Sequence, residues 1–419
     1  MAQLKDDCFA FGDALIPYED AMADLAKRLV PVVGTETVPL VNAAGRVLAE
    51  DIVSDRNVPP HDNSAVDGYA VFFSDLTPDA ETRLLVTGRV AAGHPLGRDA
   101  KPGEAVRIFT GAPMPAGMDT VFMEEDCTPT ADDVILPAGL KQGANRRFAG
   151  EDVKSGDVIV RAGMRLRPQD IGLAASVGRN ALTVFQPLRV AVFSTGDEVR
   201  DPSGDAPEGC IFDANRFAVM AMLERLGAVV TDLGILPDDE TAIANALGTA
   251  ATDQDVLMTS GGVSAGEEDH VKAAVEKFGS IHFWRLAIKP GRPIALGQMG
   301  DAAFIGLPGN PVAAMVTFLM IAQPMLRQLA GETGYRAARL RVPTGFDYKK
   351  KRGRREWVRV ALDSGTDGAP VAHKHHSSGA GILTSMAGAD GLVEVGEDVE
   401  RLEAGAHVTY IPFSGLLSG

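Results

Sequence analysis

The chain predicts a multidomain α/β and β protein: a central α/β domain with a mostly parallel sheet, an inserted β-rich domain and a C-terminal β-barrel or sandwich. Three observations carry that expectation. At 419 residues the chain exceeds what one compact core accommodates. Between residues 188 and 333, apolar runs of strand length alternate with helical patterns, the sign of a parallel sheet. From 56 to 152, and again from 334 to 419, short β-like runs are cut by glycine and proline. Residues 1–55 together with 153–187 read as a discontinuous helical and β region framing the first insert.

Each element has its own signal. Residues 18–29 form a helix carrying Ala21, Leu25 and Leu29 to one side, and 38–43 with 46–52 a further strand or helix pair. Residues 58–71 are proline-led and polar, crowded with Asp62, Asn63, Ser64 and Asp67, and end in a short strand. Strands follow at 84–86, 105–109 and 120–123, with Thr110 between two of them. A second polar segment, 145–152, ends at Asp152 before a strand at 158–160 and a helix at 168–178. The α/β part then places strands at 189–193, 228–233, 256–258, 281–288 and 303–306. Its helices are 215–226, one beginning at Leu236-Pro237-Asp238-Asp239 and running to Ala250, 269–278, and 312–329. Short β segments at 340–342, 356–361, 392–395 and 407–411 close the chain. The basic run 349–355 reads as a solvated turn, and His373, His375 and His376 lack a partner at zinc-ligand spacing.

Composition narrows the function. A formal net charge of −16 argues against nucleic-acid binding as the main activity, while leaving room for a local basic pocket. The three cysteines, Cys8, Cys127 and Cys210, show neither metal spacing nor a disulfide framework. The N-terminus is charged and mixed, unlike a secretory signal, and the longest apolar run stops at Gln323-Pro324, short of a membrane span. The expectation is a cytoplasmic protein without a membrane or nucleic-acid partner.

The most informative stretch is Thr259-Ser260-Gly261-Gly262-Val263-Ser264-Ala265-Gly266, which links a strand to a helix. Such a loop turns backbone N–H groups toward one point, suiting a phosphate or another oxyanion. Glu267, Glu268 and Asp269 crowd the same helix start. An anion cradle beside carboxylates points to a divalent cation holding a phosphorylated ligand. The plainer reading is an ordinary turn with a capping aspartate.

Six motifs in one order support a further comparison: Asn63-Ser64-Ala65-Val66-Asp67-Gly68-Tyr69-Ala70, residues 103–113, Ser194-Thr195-Gly196-Asp197-Glu198, residues 259–269, Lys289-Pro290-Gly291-Arg292-Pro293 and Gly306-Leu307-Pro308-Gly309-Asn310-Pro311. In these the chain resembles the molybdopterin molybdenumtransferases, the MoeA-type family related to the gephyrin E domain. The resemblance implies a molybdopterin-binding, adenylyltransferase-like α/β domain. It also implies a transferase of molybdenum cofactor biosynthesis that inserts molybdenum from molybdate into adenylylated molybdopterin with release of AMP and needs Mg²⁺. It implies a cytoplasmic homodimer with a composite active site, and as further partners the molybdopterin adenylyltransferase and downstream molybdoenzymes.

Carried over by motif, the catalytic candidates are Asp67, Thr110, Asp152, Glu198, Asp238, Asp269 and Lys289. Those for substrate binding are Gly261, Gly262, Ser264, Gly266, Arg285, Arg292, Pro308, Gly309, Asn310 and Pro311. Glu198, Asp238 and Asp269 would supply hard oxygen ligands to the metal, and Lys289, Arg285 and Arg292 would attract molybdate and phosphates. Three positions depart from the family pattern: Val66 for methionine, Arg292 for lysine and Ala214 for a hydroxyl residue. Two other readings stand beside this one, a catalytically silent binder on the same fold and an enzyme acting on another nucleotide-linked substrate. The acids and Lys289 oppose the first; the missing Walker and dinucleotide fingerprints oppose common forms of the second.

Overall fold

The structure is a computed structural model that describes residues 3–5, 15–262, 270–365 and 368–416. The chain divides into two compact units, one comprising Met1–Ala49, Gly163–Arg167 and Leu182–Gly419, the other Glu50–Ala162 and Pro168–Ala181. Helix α1 (Tyr18–Arg28) belongs to the first.

The second unit is built on a six-stranded sheet of β1 (Gly68–Val71), β2 (Thr82–Val90), β3 (Glu104–Ile108), β4 (Thr120–Met123), β5 (Thr128–Pro129) and β6 (Asp133–Leu136), in the order β4-β1-β3-β2-β6-β5. Alternation along β1 sends Tyr69 and Val71 to one apolar cluster and Ala70 to another, so both faces are covered. Gly68 sits where a Cβ would stand 1.7 Å from the Phe122 carbonyl oxygen, which is why the strand begins with glycine. Helix α2 (Pro168–Ser176) packs beside the short strand pair Val158–Val160 and Ile52–Val53 of the same unit.

The first unit holds the α/β sheet: β7 (Arg189–Thr195), β8 (Val229–Leu236), β9 (Val256–Ser260), β10 (Gly279–Arg285), β12 (Pro293–Met299) and β13 (Ala302–Leu307), ordered β8-β7-β9-β13-β12-β10. Between β10 and β12 runs the short β11 (Ile288–Lys289), which belongs to a different sheet. Strands β8, β7, β9 and β13 are mutually parallel, whereas β12 runs antiparallel to both β13 and β10. The sheet is therefore mixed and mostly parallel. The reading of 281–288 as one strand is corrected: the chain leaves the sheet at Arg285, and Ile288–Lys289 pairs elsewhere.

Helices cover both faces. Side chains of α3 (Ala214–Arg225) and α6 (Pro311–Leu329) join α1 on the face of Val190 and Val192, while those of α4 (Glu240–Ala250) and α5 (His270–Phe278) cover Ala191 and Phe193. Local chemistry fixes their starts. Asp213 accepts the Arg216 N–H at 3.1 Å and Asp239 the Ala242 N–H at 2.8 Å, so α4 begins after Asp238-Asp239 and the cap is the second aspartate. Helix α6 is apolar and long enough to cross a membrane, yet it lies inside the core. It contains a π turn, Phe318–Ala322, just ahead of Pro324. Proline leaves the carbonyl four residues back without its helical donor, and the Tyr18 hydroxyl donates to that Met320 oxygen at 3.1 Å.

The C-terminal sheet runs β11-β15-β17-β18-β14, with β14 (Leu340–Pro343), β15 (Arg355–Ser364), β17 (Gly391–Val395) and β18 (His407–Pro412). Strand β16 (Pro370–Lys374) pairs with β15, and the Gly345 N–H donates to the Ala372 carbonyl at 2.8 Å, so the sheet curls back on itself.

Candidate active site

All four parallel strands end at one edge, the side on which doubly wound sheets bind ligands. After β9, Gly261 and Gly262 take φ of +85° and +66°, a region glycine enters without penalty. The Gly261 amide donates to the Leu307 carbonyl at 3.1 Å, and a Cβ on Gly261 would stand 3.6 Å from the Gly309 Cα. A Cβ on Gly262 would stand 2.0 Å from Thr195 Oγ1 at the end of β7. The loops after β7, β9 and β13 are thus pressed together, and Asn215 in the first turn of α3 fastens two of them. Its Nδ2 donates to Ser260 Oγ at 2.9 Å and to the Gly309 carbonyl at 2.7 Å, while Ser260 Oγ donates to the Pro308 carbonyl at 3.0 Å. Asn310 caps α6 by position and Pro311 is its first residue. Gly261, Gly262, Pro308, Gly309, Asn310 and Pro311 therefore share one edge. Ser264, Gly266 and Asp269 lie outside the described residues.

Two acidic candidates follow neighbouring strands at that edge, Glu198 after β7 and Asp238 after β8. Both are exposed, and neither carboxylate has a hydrogen-bond or ion-pair partner among the described residues. The Glu198 carboxylate turns back over Gly196, where an added Cβ would meet its Oε2 at 2.6 Å. Free hard oxygens of this kind fit a divalent cation, though among the described residues no group of three or more His, Cys, Asp or Glu is placed to hold one. The segment joining Glu198 to α3 is held by Arg216, whose buried guanidinium donates to Asp213 at 3.0 Å, to Asp201 at 2.5 Å and to Asp232. Burial alone would lower the Arg216 pKa, but its hydrogen bonds to these three carboxylates together raise it.

Strand β10 ends at the same edge, because antiparallel β12 lies between it and β13. Its last residue, Arg285, is exposed there. Lys289, Pro290, Gly291 and Arg292 then line a cavity of about 220 Å³ shared with β15 and the segment after β16. Arg292 is exposed, and the Gly291 turn packs on α6, where a Cβ would meet Thr317 Oγ1 at 2.4 Å. The Val312 N–H of α6 donates to the Ala380 carbonyl at 3.0 Å, so one helix start supports both the glycine-lined loops and the cavity wall. Arg354, Arg359 and Lys374 add positive charge to the lining. Arg359 is 6 % exposed and donates to the Ser377 and Gly379 carbonyls at 3.2 and 3.4 Å, without an acidic partner among the described residues. Burial lowers its pKa. A buried arginine at the wall of a cavity, with only carbonyl partners among the described residues, suits an anion. Two of the six basic residues in the run 349–355 are spent internally: buried Lys350 donates to the Lys351, Arg354 and Glu397 carbonyls at 3.3, 2.6 and 3.4 Å, and Arg355 pairs with Glu19 and Glu397.

The remaining candidates belong to the second unit. Asp67 Oδ1 accepts both the Thr110 amide at 2.7 Å and the Thr110 hydroxyl at 2.8 Å. The amide bond first, then the hydroxyl, holds the exposed carboxyl below the ordinary aspartate range. Gly111 at φ +77° makes the turn that aims Thr110 at it. Asp152 is exposed, and its amide donates to the Val58 carbonyl at 3.1 Å. Asp62, given no role by the sequence, is the organiser here: it accepts the Ala149 N–H at 2.7 Å and pairs with Arg146, and these bonds depress its pKa.

A three-layer α/β sheet with a glycine-lined, acid-flanked edge and an adjoining basic cavity has donors suited to phosphorylated and oxyanionic small molecules. Three family models match in succession: the MoeA N-terminal region (domain I and II) over residues 16–178, a probable molybdopterin binding domain over 191–328, and the MoeA C-terminal region (domain IV) over 341–413. The molybdopterin molybdenumtransferase of Haemophilus influenzae is 38% identical over 96% of this chain and 100% of its own length. Molybdopterin molybdenumtransferase 2 of Mycobacterium tuberculosis is 34% identical over 93% and 97%. A crystal structure of a molybdopterin biosynthesis moeA protein from Pyrococcus horikoshii superposes with a TM-score of 0.82 at 29% identity, covering 95% of this chain and 100% of that one. The chain belongs to the MoeA family of molybdopterin molybdenumtransferases.

Proposed function

We propose that this chain is the molybdenum-inserting transferase of molybdenum cofactor biosynthesis, taking molybdate and adenylylated molybdopterin and releasing AMP. One observation carries the site assignment: the basic cavity of Lys289, Arg292 and Arg359 abuts the helix that also bears the Pro308–Pro311 loop. Molybdate, a small tetrahedral dianion, matches a cavity rich in guanidinium and ammonium donors. The diphosphate of the nucleotide-linked pterin matches the loop of Gly261 and Gly262, whose glycines admit close backbone approach. Arg285 at the end of β10 adds charge on the same edge.

The residues then divide the work. Asn215 and Ser260 hold the loops after β9 and β13 in one geometry before the ligand arrives, so its binding does not have to order them. Arg359 offers a fork of planar donors, and Lys289 a half-exposed point charge at the rim. Glu198, Asp238 and Asp269 are the residues that would hold Mg²⁺, which when bound neutralises the diphosphate charge. The protein works as a homodimer in the cytoplasm, Asp67, Thr110 and Asp152 of one subunit completing the site of its partner; the implied family pattern supports this arrangement. The test is turnover by the Arg359→Met variant at rising molybdate. Activity recovered at high molybdate supports an oxyanion role for the cavity, and unchanged KM for molybdate removes it.

A further inference from the structure

We propose that Glu356 is a counter-charge built into the basic cavity, competing with the bound oxyanion for Lys289 and keeping its affinity low enough for onward transfer. The inference rests on reading that cavity as the oxyanion site. Glu356 on β15 lies directly opposite Lys289 on β11 in a parallel pair. It is 2 % exposed, and it is the one carboxylate among the described residues lining the cavity. Its Oε2 accepts two hydrogen bonds, from Tyr348 Oη at 2.6 Å and from Lys289 Nζ at 3.2 Å. Lys289 keeps 50 % of its side chain exposed, so its ammonium is divided between the buried carboxylate and whatever enters the cavity.

A cavity shaped only for tight capture of a dianion would exclude a buried negative charge, because at short range like charges repel strongly in a medium of low polarity. The carboxylate is nevertheless held there by two donors. Burial first, and then the bond to Glu356, push the Tyr348 hydroxyl far above its ordinary pKa, so it remains a donor. The arrangement sets a balance: an arriving anion draws Lys289 away from Glu356, and the carboxylate draws it back when the anion leaves.

Two conservative substitutions move affinity in opposite directions. Glu356→Gln removes the repelling charge and frees Lys289, so molybdate binds at least about tenfold tighter, a floor for a unit charge facing a dianion across one cavity at an effective dielectric near 20. Tyr348→Phe withdraws one donor from Glu356, which then holds Lys289 more firmly, and molybdate binds about threefold weaker. A purely structural role would lower affinity in both. The experiment is calorimetric titration of sodium molybdate into the full-length wild-type chain and both variants, with folding checked by tryptophan fluorescence. Opposite shifts support the proposal. Wild-type binding that is unchanged or weakened in Glu356→Gln overturns it while leaving the cavity reading intact. If Glu356→Gln fails to fold, the tyrosine variant decides alone, and unchanged or tighter binding there overturns the proposal. No molybdate binding by any of the three proteins overturns the cavity reading and this inference together.

Discussion

Gly262→Ala tests whether the loops at the sheet edge are as tightly packed as the structure has them. At φ +66° an alanine carries a backbone penalty of about 1–2 kcal/mol. Its methyl would also stand 2.0 Å from Thr195 Oγ1, a contact no pair of atoms tolerates, while the Thr195 Cβ at 3.5 Å is at ordinary contact. Relief therefore requires Thr195 to leave its rotamer in a buried position, an overpacking cost of about 1–3 kcal/mol. Thr195→Ala deletes the offending oxygen and leaves the backbone penalty. The double variant should accordingly recover about 1–3 kcal/mol relative to the sum of the single changes. Both tryptophans, Trp284 and Trp357, lie in the first unit, so urea unfolding followed by their fluorescence reports that unit alone. AMP release measured alongside shows whether the displaced loop also loses function. Additive single effects, within about 0.5 kcal/mol, would refute the contact on which the edge is built.

Thr110→Val, which removes one of the two donors to Asp67, should raise that carboxyl's pKa in an NMR titration. Because the folded value is depressed, the interaction is fully present above the unfolded aspartate pKa and is lost as pH falls through the lower folded one, so neutral-pH stability should not depend on pH through Asp67. Glu332→Gln strips the shared carboxylate from Arg165 and Arg327, 2.8 and 2.9 Å away and nearly buried, and should cost about 3–5 kcal/mol in tryptophan-monitored urea unfolding. Asp67→Asn and Lys289→Ala should each abolish activity, and the two proteins should regain part of it when mixed as verified heterodimers; no recovery would remove the shared-site arrangement.

Much of the α/β unit is legible because its loops carry local chemistry. Asp213 and Asp239 stand at helix starts, Gly261 and Gly262 take a backbone conformation that favours glycine, and apolar runs mark β7, β9 and β13. Strand β12 escaped notice because it opens with Pro293 immediately after a proline-rich turn and carries Gly297 inside an apolar run, a pattern without period. Strand β16, half exposed and holding two basic residues of the histidine segment, gives an equally weak pattern. The missed site residues were invisible for a different reason. Glu356 gains its meaning from Lys289, 67 residues earlier, and Asn215 from Gly309, 94 residues later. One signal for Arg359 was present: a lone arginine between Val358 and Val360, in a strand otherwise built for the interior.

Molybdenum insertion is measured by reconstitution with purified protein, adenylylated molybdopterin, molybdate and Mg²⁺, following AMP release and molybdenum incorporation together. AMP release should require molybdate, match the molybdenum incorporated, and be lost in Lys289→Ala and Asp269→Asn. AMP release that proceeds without molybdate, or pterin binding without turnover, would contradict molybdenum insertion by this chain.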